Sequence, residues 1–427
     1  MRAVWHGAGL SPSTSASSYA FIAGTIGVAF NLAPYQFNTT SPLCPLSDDV
    51  VVTSITAWVP TAPGTGKSWT VALQTLAGQT TQTTGTSTTT AASAVISDTN
   101  TTATWNGAVL VPQSSIVNMI ITPASTPAST AGIYWTITYH TAGNFYLMPM
   151  NDASDWPFAG AVTFWYPPLG GVAMQPVNAT PNTGASIPCP TALTVTKIIC
   201  FVSVQSMPGS ITRAFSPYNA TTSTNGSFSS TSTGSSTTLG NVGVGSLSFA
   251  QGDLMCVQAT QNNGYPGQGS TTCMTVVPSV PGEVMNGYFA TVSPVNNATS
   301  YDAPTGGGDN VGNWTATEAT VGVRFPACVL RRLYVLTPTA PGGAASYTYT
   351  LRQNSASTPL SVAISAAATT GNDSADAVAI AAGDIMDVQA VPSGGPASPN
   401  GVRFGYVEVI PQPVNTYINQ AVQAALR

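Results

Sequence analysis

Apolar and polar residues alternate along most of the chain, and the alternating stretches are bounded by clusters of Gly, Pro, Asn, Asp and Ser. Period two with such boundaries predicts half-buried antiparallel strands. Long strands are expected over Val50 to Val59, Leu193 to Val204 and Cys328 to Leu336, each leading to a Pro-Gly turn at Pro63-Gly64, Pro208-Gly209 and Pro341-Gly342. Each is preceded by an aromatic strand: Ser18 to Ile22, Val162 to Tyr166, and Gly287 to Ala290. Further on, a turn enters another strand at Ser114-Ser115-Ile116, Gly252-Asp253-Leu254 and Gly383-Asp384-Ile385. Period-two strands close each set at Ile133 to His140, Thr271 to Val277 and Val402 to Ile410.

The same plan therefore occurs three times, at a period of roughly 130 to 145 residues. Pro60-Thr61-Ala62-Pro63-Gly64 recurs as Pro338-Thr339-Ala340-Pro341-Gly342, and Cys44-Pro45 finds an echo in Cys189-Pro190. Seven or eight strands per copy, closely spaced turns and little helical periodicity predict an all-β chain of three tandem β-sandwich domains of jelly-roll type. The expected boundaries are 1–150, 151–281 and 282–412. The Thr/Ser tracts Thr80 to Thr104 and Thr221 to Thr238 suit solvent-facing strands and loops, because Thr is β-branched.

Only residues 413–427 depart from the strand pattern. Apolar residues at Val414, Tyr417, Ile418, Ala421, Val422, Ala425 and Leu426 form the stripe of a short amphipathic helix. A lone helix of that length is marginal in water, so its stripe needs a cover. That cover is the third domain or a neighbouring subunit, the second option making Tyr417, Ile418, Val422 and Leu426 docking residues.

Composition narrows the function. Only 6% of the 427 residues are charged, the formal net charge is −5, and the two lysines are Lys67 and Lys197. Such a chain lacks the dense basic surface that a phosphate backbone requires, so nucleic acid is not an expected partner. The longest apolar run, Tyr19 to Phe30, is about a dozen residues, short of the roughly 20 of a spanning helix. Neither a membrane span nor a secretory signal is expected, since Met1-Arg2 is followed by no apolar core. Eight Asn-x-Ser/Thr sequons carry no inference of glycosylation in a chain so rich in Thr and Ser.

Candidate chemistry is sparse. Cys44, Cys189, Cys200, Cys256, Cys273 and Cys328 include no CxxC pair, which argues against zinc. Buried free thiols are expected, with a Cys256–Cys273 or Cys200–Cys256 disulfide as the alternative. His6 and His140 are the two histidines, too few for a multi-histidine metal site. Ala62 to Ser68 ends in Gly-Lys-Ser, but the segment after it alternates as a strand where a phosphate loop needs a helix. Paired carboxylates that could do glycoside chemistry are Asp48-Asp49, Asp152 with Asp155, Asp373 with Asp376 and Asp384 with Asp387, beside the isolated Glu283, Glu318 and Glu408. The Asp residues sit where Asx-turns use them. Asp302 to Asp309 in a Gly-rich loop is a candidate calcium site that matches no calcium motif. Trp105, Trp156, Trp165 and Trp314 are candidate sugar platforms or core aromatics. No cofactor and no catalysis are expected.

The triplication, the strand pattern around Gly383-Asp384-Ile385-Met386-Asp387-Val388 and the low-charge, Thr/Ser/Ala/Gly-rich composition resemble the exterior structural proteins of tailed bacteriophages. The resemblance implies a decoration (cement) protein outside a capsid, commonly a homotrimer, whose partners are the major capsid protein and copies of itself. A tail fibre or other tail component that binds host glycans is the alternative, followed by a carbohydrate-binding or surface-layer protein. The resemblance brings no functional residues.

Overall fold

The computed structural model describes residues 1–10, 12–26, 43–76, 89–130, 132–152, 162–169, 185–202, 211–234, 238–262, 270–290, 292–305 and 314–411. The C-terminal stripe at Tyr417, Ile418, Val422 and Leu426 and the Pro208-Gly209 turn lie outside them.

The first unit runs through β1 (Arg2–Leu10), β2 (Ser18–Ala20), β3 (Gly24–Ile26), β4 (Cys44–Pro45), β5 (Val50–Trp58), β6 (Gly64–Leu76), β7 (Thr89–Asp98), β8 (Thr102–Val111), β9 (Ile116–Ala124) and β10 (Gly132–His140). The second comprises β11 (Tyr146–Asp152), β12 (Val162–Tyr166), β13 (Ile187–Pro188), β14 (Leu193–Val202), β15 (Ile211–Asn219), β16 (Thr224–Asn225), β17 (Ser230–Gly234), β18 (Thr238–Leu239), β19 (Gly243–Phe249), β20 (Leu254–Gln261) and β21 (Ser270–Pro278). The third has β22 (Glu283–Ala290), β23 (Ser300–Asp302), β24 (Val323–Arg324), β25 (Cys328–Leu336), β26 (Ser346–Gln353), β27 (Ala356–Ser365), β28 (Thr370–Ile380), β29 (Ile385–Ser393) and β30 (Val402–Val409).

Each unit is two facing sheets of one topology. In the third, β22-β30-β25-β28 faces β23-β29-β26-β27; in the first, β1-β10-β5-β8 faces β2-β9-β6-β7. The second repeats this with β11-β21-β14 continued by β18 and β19, and β12-β20-β15 continued by β16 and β17. Numbering eight strand positions per unit, the orders are 1-8-3-6 and 2-7-4-5, the jelly roll. A short strand, β4, β13 or β24, adds to the seventh-position strand β9, β20 or β29.

The turn before each seventh-position strand shows how local chemistry repeats. Ser114, Gly252 and Gly383 all have left-handed φ, +64°, +89° and +92°, a conformation glycine adopts without steric cost. Their amides donate to the carbonyls of Leu46, Cys189 and Phe325 at 2.8, 2.8 and 2.9 Å. Asp253 and Asp384 accept the amides of Ala250 and Ala381 at 2.8 Å each. These aspartates are turn residues.

Register corrects three details of the repeat. Pro45, Pro188 and Arg324 pair with Ile116, Leu254 and Ile385, so Leu46, not Cys44, holds the place of Cys189. The shared Cys-Pro step is a coincidence of spacing. Gly287 to Ala290 belongs to the first-position strand β22, paired with β30, rather than matching β2 and β12. Finally, β11 lies beside β21, so the second sandwich begins before residue 151, and a boundary at 150 would cut its edge strand.

The closing strands are the largest departure from the expected half-burial. Every residue of β10 is buried, and β21 and β30 are buried at all but one position each. One face packs in the strand's own sandwich. The other is covered by the next unit in a cycle: β4 of the first lies on β21, β14 and β11 of the second, β13 of the second on β30, β25 and β22 of the third, and β24 of the third on β10 of the first. The three jelly rolls thus close a head-to-tail ring within one chain. At the second joint, a Cβ on Gly405 would stand 2.2 Å from the Pro188 carbonyl oxygen. We expect Gly405→Val to cost about 1–3 kcal/mol by overpacking that joint, read as a lower denaturation midpoint. A Val at exposed Gly395, whose φ is +63°, provides a comparison in which backbone strain acts without a joint.

Candidate functional site

The third-position strands each carry a bulge near the same place, after Val52 and Val195 in the first two units and one residue later, after Arg331, in the third. A bulge re-aims a side chain, and here the outward residue is Ser54, Lys197 or Arg332. In the first joint, Lys197 Nζ donates to Asp48 Oδ2 at 2.6 Å, and Thr275 Oγ1 donates to Ser47 Oγ at 2.9 Å. In the second, Arg332 Nη1 reaches Glu283 Oε1 at 2.9 Å and Thr191 Oγ1 at 3.1 Å. Arg331 and Thr191 also donate to Glu283, whose side chain is fully buried.

The third joint is built differently. His6 Nε2 lies 3.0 Å from Glu408 Oε2, both side chains buried, and Asn286 donates to the same carboxylate oxygen. The His6 ring stacks on Phe325 at 4.2 Å. No cation stands at the bulge, where Ser54 replaces Lys197 and Arg332, and Pro326 and Ala327 follow Phe325 where Ser47–Asp49 follow Leu46. A cleft of about 300 Å³ opens there between the first and third units. Trp58 and Tyr134, centroids 4.8 Å apart, form an aromatic floor. The Arg324 guanidinium lies over Trp58, 4.9 Å from the ring centroid. Its Nε has no hydrogen-bond partner among the described residues, and burial lowers its pKa. Arg2, donating to the Pro411 carbonyl at 3.2 Å, also lines the cleft, and among the described residues no carboxylate does.

The structure scatters the carboxylate candidates. Asp48 holds Lys197, Asp49 accepts the Gln113 amide at 2.6 Å, and Asp373 accepts the amides of Ala375 and Asp376 at 3.2 and 3.1 Å. Asp384 is held below the usual carboxylate range by Asn354 and Gln353. Burial, reinforced by Glu318, pushes Asp387 up to about 8, Arg352 acting the other way. Glu318 and Arg352 form an ion pair at 2.7 Å. Asp155, and residues 306–313 of the calcium candidate loop, lie outside the described residues; Asp302 is buried and accepts the Ala303 amide at 2.8 Å. Among the described residues no three His, Cys, Asp or Glu side chains cluster as metal ligands. Gly64 to Ser68 enters strand β6, with the Gly66 amide donating to Asp98 at 2.8 Å.

All six cysteines are buried free thiols. The alternative disulfides do not form, Cys256 and Cys273 belonging to opposite sheets. Trp105 is partly buried against the first core, Trp165 packs edge-on to Tyr218, and Trp314 tilts against Tyr349 in the third core. They act as core aromatics, and Trp156 lies outside the described residues. The cleft residues Trp58, Tyr134 and Arg324 were not singled out by sequence, because the register that sets Arg324 where the other units have Pro45 and Pro188 appears only in the strand pairing.

No protein-family model and no curated protein matches the chain. Among solved structures, it resembles weakly a chain from an archaeal virus described by its triple jelly-roll fold and turret assembly, at 11% identity and TM-score 0.17, over 85% of this chain and 79% of that one. A chain of infectious bursal disease virus, Gt strain, aligns at 10% identity and TM-score 0.17, covering 99% and 88%. One from Sulfolobus turreted icosahedral virus aligns at 11% and 0.16, covering 85% and 79%.

Two outcomes follow from the buried groups. The thiols of Cys200 and Cys256, pushed up to about 12 by burial, should stay unreactive to a thiol reagent at pH 8 in the folded chain, all six reacting in denaturant. Burial, aided by Arg2 and the N-terminal ammonium, lowers His140 to about 4 from 6.5. The unfolded chain therefore takes up a proton before the folded one, so the His140 contribution is complete above pH 6.5 and is lost as pH falls towards 4. An imidazole NMR titration should place the His140 midpoint near 4, and His140→Asn should flatten the acid limb of stability against pH.

Proposed function

We propose that this chain is a non-enzymatic structural protein of a virion, a decoration or cement protein that binds outside a capsid and reinforces contacts between its subunits. The observation that carries this reading is the closed ring. The Lys197–Asp48, Arg332–Thr191 and His6–Glu408 contacts hold jelly roll to jelly roll, which is assembly work rather than catalysis. Outward strands such as β7, β8 and β28 present mostly small Thr, Ser, Ala and Gly side chains, with Asp98 and Asp376 as exposed charges. These lose little entropy on burial, and many weak contacts across a lattice add through avidity. Jelly rolls serve viral capsids among other uses. The partners are the major capsid protein and copies of this chain, as a homotrimer, with Tyr417, Ile418, Val422 and Leu426 as the docking stripe.

A tail component that binds host glycans is the second reading, favoured by the cleft beside Trp58. Electron microscopy of source particles labelled with an antibody to this chain separates the two. Label over an icosahedral head supports decoration, label on the tail supports the second reading, and absence from any virus-like particle overturns both. Deleting residues 413–427 should lower incorporation while leaving the thermal midpoint unchanged; unchanged incorporation removes the docking stripe.

A further inference from the structure

The cleft at the third joint has a chemistry that the other two joints lack. Where they place a cation on the sheet and a hydrogen-bond acceptor on the facing loop, this joint has Ser54 on the sheet and moves the cation to the facing short strand β24, at Arg324. The guanidinium is half-buried and no ion pair among the described residues engages it. An arginine in this state is a carboxylate or phosphate receptor, because its planar fork matches either group. Beside it lie the aromatic floor of Trp58 and Tyr134 and a polar wall. The wall is Thr56, whose hydroxyl is 3.1 Å from that of Thr104, with Thr104 and Asn106 exposed at the mouth.

We propose that this cleft binds an acidic sugar, its carboxylate on Arg324, its C–H face on the Trp58–Tyr134 floor and its hydroxyls along Thr56, Thr104 and Asn106. Each wall excludes a competitor. An inorganic anion leaves the aromatic floor uncovered, and a fatty carboxylate leaves the hydroxyl and amide groups unpaired. A volume of about 300 Å³ is at the small end of ligand pockets and suits one or two rings. The assignment does not rest on the virion reading, and it holds for a head or a tail location alike.

The test is titration of the full chain with glucuronic acid and with N-acetylneuraminic acid, using glucose as the neutral control, followed by ligand-observed NMR. Saturable binding of at least one acid is expected, about tenfold or more tighter than glucose. Arg324→Gln should weaken it about tenfold or more, as should Thr104→Trp, which fills the mouth from an exposed position and leaves the packed joint alone. Absence of saturable binding to either acid overturns the proposal. So does equal binding of glucose, or binding that both variants leave unchanged. Binding that emerges only after removal of residues 413–427 also overturns it, because the cleft would then belong to the chain's own C-terminal residues.

Discussion

Everything in this architecture depends on covering the outer face of one sheet in each jelly roll. The closing strands β10, β21 and β30 are buried on both faces, and a single sandwich buries one face only. The exposed side would carry Thr136 and Thr138, Cys273 and Thr275, or Arg403 and Val407, all of them buried in the chain. Three units arranged head to tail satisfy all three faces at once. An open row would leave the first or the last uncovered, which is why the ring closes.

The joints share a geometry and differ in chemistry. The short strands β4, β13 and β24 approach the neighbouring sheet by the same route, and a bulge near the same place turns an outward side chain towards them. The contacts at the three joints differ in kind. Lys197 and Asp48 make a partly exposed pair, of modest worth in solvent. Glu283 is fully buried and shared by two arginines and a threonine hydroxyl, the kind of group whose partners cannot be removed cheaply. In the third joint, His6 and Glu408 lock β1 onto β30. The Ser54 and Arg324 side of that joint stays open, and this opening is the cleft.

Much of the fold was legible in the sequence because strand periodicity and turn chemistry are local. The repeated Pro-Thr-Ala-Pro-Gly, the Gly-Asp turns and the three sets of alternating strands predicted three β-sandwiches, and the left-handed φ values at Ser114, Gly252 and Gly383 show the turn reading to be physical. The Asx-turn roles of Asp373 and Asp384 followed from the same local rules. The Cys-Pro correspondence failed because linear spacing absorbs loop-length differences that strand register does not. The apparent match of Gly287 to Ala290 with the second-position strands failed for the same reason.

What the sequence determined by itself was therefore the strand content, the threefold repeat and the burial of the six cysteines, all set by side-chain period, turn residues and apolar character. Tertiary structure alone decided which strands lose both faces, which cations meet which carboxylates and where an arginine has no carboxylate partner among the described residues. Those outcomes depend on contacts between residues such as His6 and Glu408, 402 positions apart, and no local pattern encodes a distance closed only when the third jelly roll returns to the first.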